Sequence, residues 1–399
     1  MIRRTRAACA LLAGILLPTP PAPGLPPPES RERERAIAAL QRRASAAAPG
    51  TDEAQAVAGA LAVIGREYLD GGEPGRAAEL LGEAYALDEG NGLILAELTL
   101  AHLALGDAAT ARLYLRLAEQ RATSAPPEVF GVLGDVYERL HRLDDAAAAW
   151  EEFARFGGQD PAVLARLRRA RDELAVARGQ RSRDAPPFRI YADPDVEEDA
   201  VSSAAERLMA SYASQSAFFA TALPEPQIAV LYAGRAYFSL AAVPDWVGGA
   251  YDGKIRVSVP RGAADAGEIL SHELAHAFIR KTSDDRAPAW LHEGLAQWLE
   301  GRRMPGSALA ETLRAAAPAS TLAALEARFT ARRTRAEARV AYAQALSLVE
   351  HLVRVRGEGA VACLVGRLSA SASFDEALRA ETGFGEEELL REWKRAAGI

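Results

Sequence analysis

Cysteine is almost missing from this chain: Cys9 and Cys363 are the only two in 399 residues. A disulfide framework is therefore excluded, and stability must come from packing. Cys363, flanked by Val361, Ala362, Leu364 and Val365, reads as a small core residue rather than a nucleophile. An excess of positive charge is missing too, with 47 Lys and Arg against 54 Asp and Glu, a formal charge of −7 and a pI near 5.6. That balance offers no broad attraction for nucleic acid or an anionic membrane. The local basic runs Arg332–Arg335 and Arg166–Arg171 are surrounded by acidic residues and read as solvated helix faces. Long apolar runs are lacking as well. Ala7–Leu17 is too short to cross a bilayer, so no stable membrane span is expected beyond the N-terminal segment that contains it. Histidine is scarce, at six residues, which makes any ordered arrangement of histidines hard to ascribe to chance.

One such arrangement is present. His272-Glu273-Leu274-Ala275-His276 lies in a segment with helical apolar spacing, marked by Ile269, Leu270, Leu274, Ala277 and Phe278. Two histidines four apart project from one helix face, a turn from each other, which suits two corners of a zinc tetrahedron. Glu273 is rotated about 100° from His272 and so leaves the ligand face, but it can reach a water in the metal's open position as a general base. A third ligand is needed, and the following apolar helix, Ala289 to Trp298, offers Glu293, with His292 as the alternative. Gly294 removes a side chain where the two helices are expected to approach closely, and Gln297, four residues on, is a candidate to orient a ligand imidazole. The metzincin pattern is excluded, because Ile279 and Thr282 stand where it needs Gly and His.

These residues resemble the gluzincin-type zinc metallopeptidases, specifically bacterial peptidase MA-like domains. The likeness is carried by His272-Glu273-Leu274-Ala275-His276 and by Trp290-Leu291-His292-Glu293-Gly294-Leu295-Ala296, with Pro244-Asp245-Trp246 and Gly249-Ala250-Tyr251-Asp252-Gly253 upstream. The resemblance implies Zn2+ held by His272, His276 and Glu293, Glu273 as base, and a peptide or protein substrate. Related domains carry a Tyr on a later helix, which makes Tyr342 the candidate oxyanion donor; a packing aromatic is the other reading of it. The sixteen residues between His276 and Glu293 are fewer than in thermolysin-like peptidases, so substrate-site details are not carried over.

At 399 residues the chain allows two or three domains. Residues 1–25 have the layout of a signal peptide: Arg3, Arg4 and Arg6, then the apolar run, then a Pro-rich break, with Ala22 the best of poor cleavage sites. Export to the periplasm or exterior is expected, with an uncleaved anchor as the alternative. Residues 26–50, Pro-rich and then charged, read as a tether. Between 51 and 178 the chain repeats itself. Gly65-Arg66-Glu67-Tyr68 recurs as Gly134-Asp135-Val136-Tyr137, and Ala77, Ala111 and Ala146 fall 34 and 35 apart, as do Ala84, Ala118 and Phe153. That period resembles three tetratricopeptide (TPR) repeats followed by a capping helix from Pro161, with Thr99 and His102 departing in the middle copy. Residues 179–187 read as a linker.

Residues 188–399 form the expected zinc metallopeptidase domain. Strands are predicted at Phe188–Tyr191, Gln227–Tyr232 and Lys254–Val259, and a helix from about Asp195 to Ala222. Ile255–Val259 is the candidate edge strand beside the metal helix, able to pair with extended substrate. Asp265 is the candidate cap of that helix. The fold class is thus an α-helical, TPR-like array plus an α+β zincin-like domain. Three functions fit: a zinc endopeptidase whose array holds substrate or a partner protein, an idle interaction scaffold, and a hydrolase of cell-wall amides. The intact Glu273 argues against the scaffold.

Overall fold

The computed structural model describes residues 28–122, 126–176, 179–224, 226–235, 238, 247–259, 266–303, 312, 319–330, 334–371 and 373–398. The signal segment, Asp265 and Pro244-Asp245-Trp246 lie outside these. The described residues contain sixteen helices and one five-stranded sheet, divided between an all-helical unit and a mixed unit that starts at Gly179. None of the described helices is long and apolar enough to cross a membrane.

The helical unit is a row of hairpins. Helix α1 (Pro28–Ala46) is followed by α2 (Asp52–Asp70) with α3 (Pro74–Leu87), α4 (Gly92–Leu105) with α5 (Ala108–Arg121), and α6 (Pro127–Arg139) with α7 (Leu143–Arg155); α8 (Pro161–Val176) closes the row. The periodic alanines explain the spacing. Ala77, Ala84, Ala111, Ala118 and Ala146 are all buried, and a larger side chain at a helix crossing would force the pair apart. Gly134 makes the same point more sharply, because a Cβ there would fall 2.2 Å from Nε1 of Trp150. In the middle hairpin Thr99 is accommodated by donating its hydroxyl to the carbonyl of Leu95 at 2.9 Å.

Successive hairpins are joined by charge as well as by apolar contact. Arg66 of α2 pairs with Asp70 at 3.1 Å and reaches Glu97 of α4 at 3.9 Å and Asp135 of α6 at 3.7 Å. Arg166 of α8 meets Asp135 at 2.9 Å. Glu97 is the unbalanced member, since it is only 5% exposed and its Oε2 has no hydrogen bond. Burial pushes its carboxyl up to about 7 against the pull of Arg66.

The sequence reading of 26–50 as a tether is overturned by α1. Ile37 is 1% exposed in the core formed with α2 and α3, with Leu40 and Ala44 packed beside it. Arg33 pairs with Glu67 at 3.0 Å, and the hydroxyl of Tyr68 donates to Glu34 at 3.1 Å. A charged run that looks solvated in isolation is held by the helices after it.

The mixed unit is built on the sheet β1 (Arg181–Ala185), β2 (Phe188–Ala192), β3 (Gln227–Tyr232), β4 (Gly249–Tyr251) and β5 (Ile255–Ser258), in the order β1-β2-β3-β5-β4. The central pairs β2/β3 and β3/β5 are parallel and the outer pairs antiparallel. Two expectations change here. Residues 179–187 are not a linker, because β1 pairs with β2; its half-buried Arg181 and exposed Arg183 are held by Glu198, the charged habit of an edge strand. Ile255–Val259 is not an edge either, since β5 has β3 on one side and β4 on the other.

Helix α9 (Glu198–Phe219) links β2 to β3. After the sheet come α10 (Gly267–Ser283), α11 (Ala289–Leu299), α12 (Leu322–Thr330), α13 (Arg335–Arg356), α14 (Glu358–Leu368), α15 (Phe374–Thr382) and α16 (Glu386–Ala397). One core joins sheet and helices, with Phe278, Trp290 and Trp393 almost wholly inside. Each such burial is worth roughly 1.5–3 kcal/mol against exposure. Trp393 also donates its indole N–H to Ser347 at 2.8 Å, tying the last helix to α13. Cys363 is exposed, against expectation, because α14 turns Val361, Leu364 and Val365 inward and leaves position 363 on the outer face.

Candidate metal centre

Helix α10 buries Leu270, Leu274, Ala275, Phe278 and Ile279, and this apolar stripe fixes which way its polar residues point. Gln215 of α9 holds the start of the helix by donating its amide to the carbonyl of Ser271 at 2.9 Å and to its hydroxyl at 3.2 Å. One turn apart, the rings of His272 and His276 lie with centroids 4.8 Å apart and planes at 85°.

Helix α11 supplies the third group. Its first N–H groups lack a local side-chain cap, since Pro288 precedes them; Glu326 of α12 caps them from a distance, accepting from Ala289 N at 2.9 Å and Trp290 N at 3.2 Å. Gly294 is where α11 comes close to a neighbour, but that neighbour is α13. A Cβ at 294 would sit 2.5 Å from the carbonyl oxygen of Ala345, so the glycine sets the seat of α11 on α13 instead of its approach to α10.

Glu293 turns its Oε2 toward both imidazoles, 3.4 Å from Nε2 of His272 and 3.8 Å from Nε2 of His276. The three candidate donor atoms lie within 4.8 Å of one another, and Oε2 is buried without a hydrogen bond. In a tetrahedron with bonds of roughly 2.0–2.1 Å, corner atoms stand about 3.3–3.4 Å apart; the 3.4 Å separation matches that spacing and the 3.8 Å one is slightly wider, so a small inward movement of the side chains would seat a zinc-like cation. The electrostatics agree. Burial opposes charge on His272, yet Glu293 and Glu300 outweigh it and raise its pKa; Glu293, despite its burial, is lowered by the histidines. The cluster therefore demands positive charge, and a proton on His272 meets that demand when no cation does.

The other ring nitrogens have partners that the sequence reading missed. Nδ1 of His272 lies 3.0 Å from Oε2 of Glu300, whose other oxygen meets Nε of Arg302 at 2.9 Å. Nδ1 of His276 lies 3.1 Å from Nδ1 of His292. His292, the alternative ligand by sequence, stands instead behind a ligand candidate. Burial holds His276 down to about 4 and His292 well below the usual imidazole range, so both rings are neutral near pH 7. Gln297 does not touch an imidazole; its amide donates to the carbonyls of Glu293 at 3.0 Å and Tyr342 at 3.1 Å, clamping α11 to α13. The signal for Glu300 was its position seven residues, about two helical turns, after Glu293 on the same face.

Glu273 is 6% exposed, and burial pushes its carboxyl up to about 8. It lies under the edge strand β4, where a Cβ on Gly249 would be 2.6 Å from its Oε1. Among the described residues, the outermost strand of the sheet beside the histidine helix is thus β4. Tyr342 sits on α13 with its ring edge-on to Phe329, centroids 5.5 Å apart.

The arrangement can hold a divalent cation next to a buried carboxylate and a strand edge. The comparisons agree with that chemistry at the level of the domain. No curated protein matches the chain. Residues 237–397, which carry His272, Glu273, His276, His292, Glu293 and Glu300, match the family model Peptidase_MA_2 of the Peptidase MA superfamily, which supports a peptidase MA-like domain in this part of the chain.

Proposed function

We propose that the chain is an exported zinc-dependent endopeptidase of the HExxH…E, gluzincin type. The observation that carries this reading is the meeting of His272, His276 and Glu293 around one small space, with the Oε2 of Glu293 left without a hydrogen bond and Glu273 alongside. His272, His276 and Glu293 hold the metal. When bound, the cation supplies the positive charge that acidifies the attacking water and offsets the developing oxyanion. Glu273 takes the water's proton as the new C–O bond forms, then delivers it to the amine nitrogen as the C–N bond breaks.

The edge of β4 is assigned as the shelf along which extended peptide lies, because β4 is the outermost strand of the sheet among the described residues and it borders Glu273. Tyr342 is the assigned oxyanion donor, a role for which Tyr342→Phe is the direct check. The helical array, with its TPR-like period, is assigned to holding substrate or a partner protein.

The test is metal content and hydrolysis measured on the same preparations of the full chain and of Glu293→Ala. One zinc per chain, with cleavage of casein-like proteins, and loss of both in the variant, is the expected result. Zinc with cleavage of peptidoglycan fragments alone would transfer the reading to a cell-wall amide hydrolase. Absence of zinc from the wild type would overturn it.

A further inference from the structure

We infer that Glu300 and His292 are positioning residues that set, through different hydrogen-bond acceptors, the tautomers of the two metal-binding imidazoles. The inference rests on the metal site proposed above and concerns what stands behind it. Both Nε2 atoms face Oε2 of Glu293, at 3.4 and 3.8 Å, so both Nδ1 atoms face outward into protein. An imidazole that offers the Nε2 lone pair to a cation must carry its proton on Nδ1, and each Nδ1–H must then find an acceptor.

For His272 the acceptor is a carboxylate. Glu300 has a side chain only 4% exposed and takes Nδ1–H at 3.0 Å, while Arg302 holds its second oxygen at 2.9 Å. Arg302 is itself fixed by its backbone N–H, which donates to the carbonyl of Gln297 at 3.0 Å. For His276 the acceptor is another imidazole. Two ring nitrogens 3.1 Å apart share a single proton. If Nδ1 of His276 carries it, Nδ1 of His292 must accept, and the proton of His292 sits on Nε2. The state of a residue that never meets the metal is thereby coupled to the one that does.

The difference between the two acceptors has an electrostatic reason. Glu273, Glu293 and Glu300 already bring three carboxylates to one buried region. Arg280, whose charge acts on His276, is already paired with Asp285 at 3.0 Å, so a fourth carboxylate behind His276 would add unpaired negative charge in a medium where that is costly. A neutral acceptor gives the same tautomer without that charge. What positions 292 and 300 must retain is therefore a hydrogen-bond acceptor, not a given volume.

The experiment is zinc affinity of the full chain by chelator competition for the wild type, Glu300→Gln, Glu300→Leu, His292→Asn and His292→Phe. Glu300→Leu and His292→Phe preserve bulk and lose the acceptor, and are expected to bind zinc about 10–100-fold more weakly. Glu300→Gln and His292→Asn retain an oxygen in the place of the accepting atom and are expected to recover most of that loss. Equal affinity of the apolar variants and the wild type, or equal weakness of the apolar and acceptor variants, would overturn the inference. Imidazole ¹⁵N NMR of the zinc-loaded wild type tests it without any substitution. Protons on Nδ1 of His272 and His276 and on Nε2 of His292 are expected, and a proton on Nδ1 of His292 would overturn it. A wild type that binds no zinc would instead remove the metal site itself.

Discussion

Replacing Glu97 by Gln is expected to stabilise the helical array at neutral pH, by an amount that depends on pH in a defined way. Glu97 is buried on α4 facing α2, 3.9 Å from an Arg66 that is already engaged by Asp70 at 3.1 Å. Its carboxyl is pushed by burial from 4.5 up to about 7. Below pH 4.5 the group is protonated whether the chain is folded or not, and it contributes no penalty. Between 4.5 and 7 the unfolded chain ionises first, so stability falls as pH rises; above 7 the loss is complete. At about 1.4 kcal/mol per pH unit, the interval corresponds to roughly 3 kcal/mol. Gln keeps the shape of the protonated acid and cannot ionise. The variant should therefore exceed the wild type by about 3 kcal/mol at pH 8 and by less than about 1 kcal/mol at pH 5. Hydrogen exchange of peptides from Gly92–Leu105 in the full chain, followed by mass spectrometry, reads the array separately from the mixed unit. A variant less protected than the wild type at pH 8, or a gap that is the same at both pH values, would refute the reasoning.

Other outcomes follow from the mixed unit. Glu273→Gln should lower kcat by about 10²–10⁴-fold with zinc content unchanged, and loss of zinc together with activity would show that Glu273 helps to hold the metal. Glu326→Ala removes the cap from α11 and should cost about 0.5–2 kcal/mol in urea unfolding. Glu326→Gln keeps one accepting oxygen but turns an amide NH2 toward the other backbone N–H, so it should recover only part of the loss seen with Glu326→Ala. Gly294→Ala places a Cβ 2.5 Å from Ala345 O and should cost about 1–3 kcal/mol and weaken zinc binding, both measurable on one preparation. Gly249→Val should leave zinc content unaltered and reduce turnover, because the added side chain meets Glu273 before it meets any of the three donors.

The pairing of His272 with His276 was legible in the sequence because its geometry is local. Four residues along a helix fix the relation of His272 to His276, and an apolar stripe fixes the face opposite. The period of 34 to 35 residues was legible for the same kind of reason, since each alanine marks a crossing inside its own hairpin. Charged segments misled in both units. The run before Ala46 and the stretch 181–185 have few apolar residues of their own, and what orders them lies elsewhere: Glu67 and Tyr68 for the first, β2 and Glu198 for the second.

A glycine in a sequence records that something comes close without saying what, and Gly294 shows the consequence. Its neighbour is Ala345 on α13, fifty-one positions away, rather than the helix just before it. The same limit applies to every group that aims the donors. Gln215 holds α10 from a helix 56 residues earlier, and Glu326 caps α11 from 37 residues later. Glu300 reaches His272 across 28 residues, and His292 reaches His276 across 16. Each of these is polar, at least partly buried and unremarkable in its local pattern, so periodicity cannot distinguish it from a surface residue. What could have found Glu300 and His292 is the proton that an imidazole must carry on Nδ1 if its Nε2 is to bind a metal, as proposed for His272 and His276. With two histidines on one helix, that requirement calls for two acceptors behind them, and α11 is the element close enough to provide both.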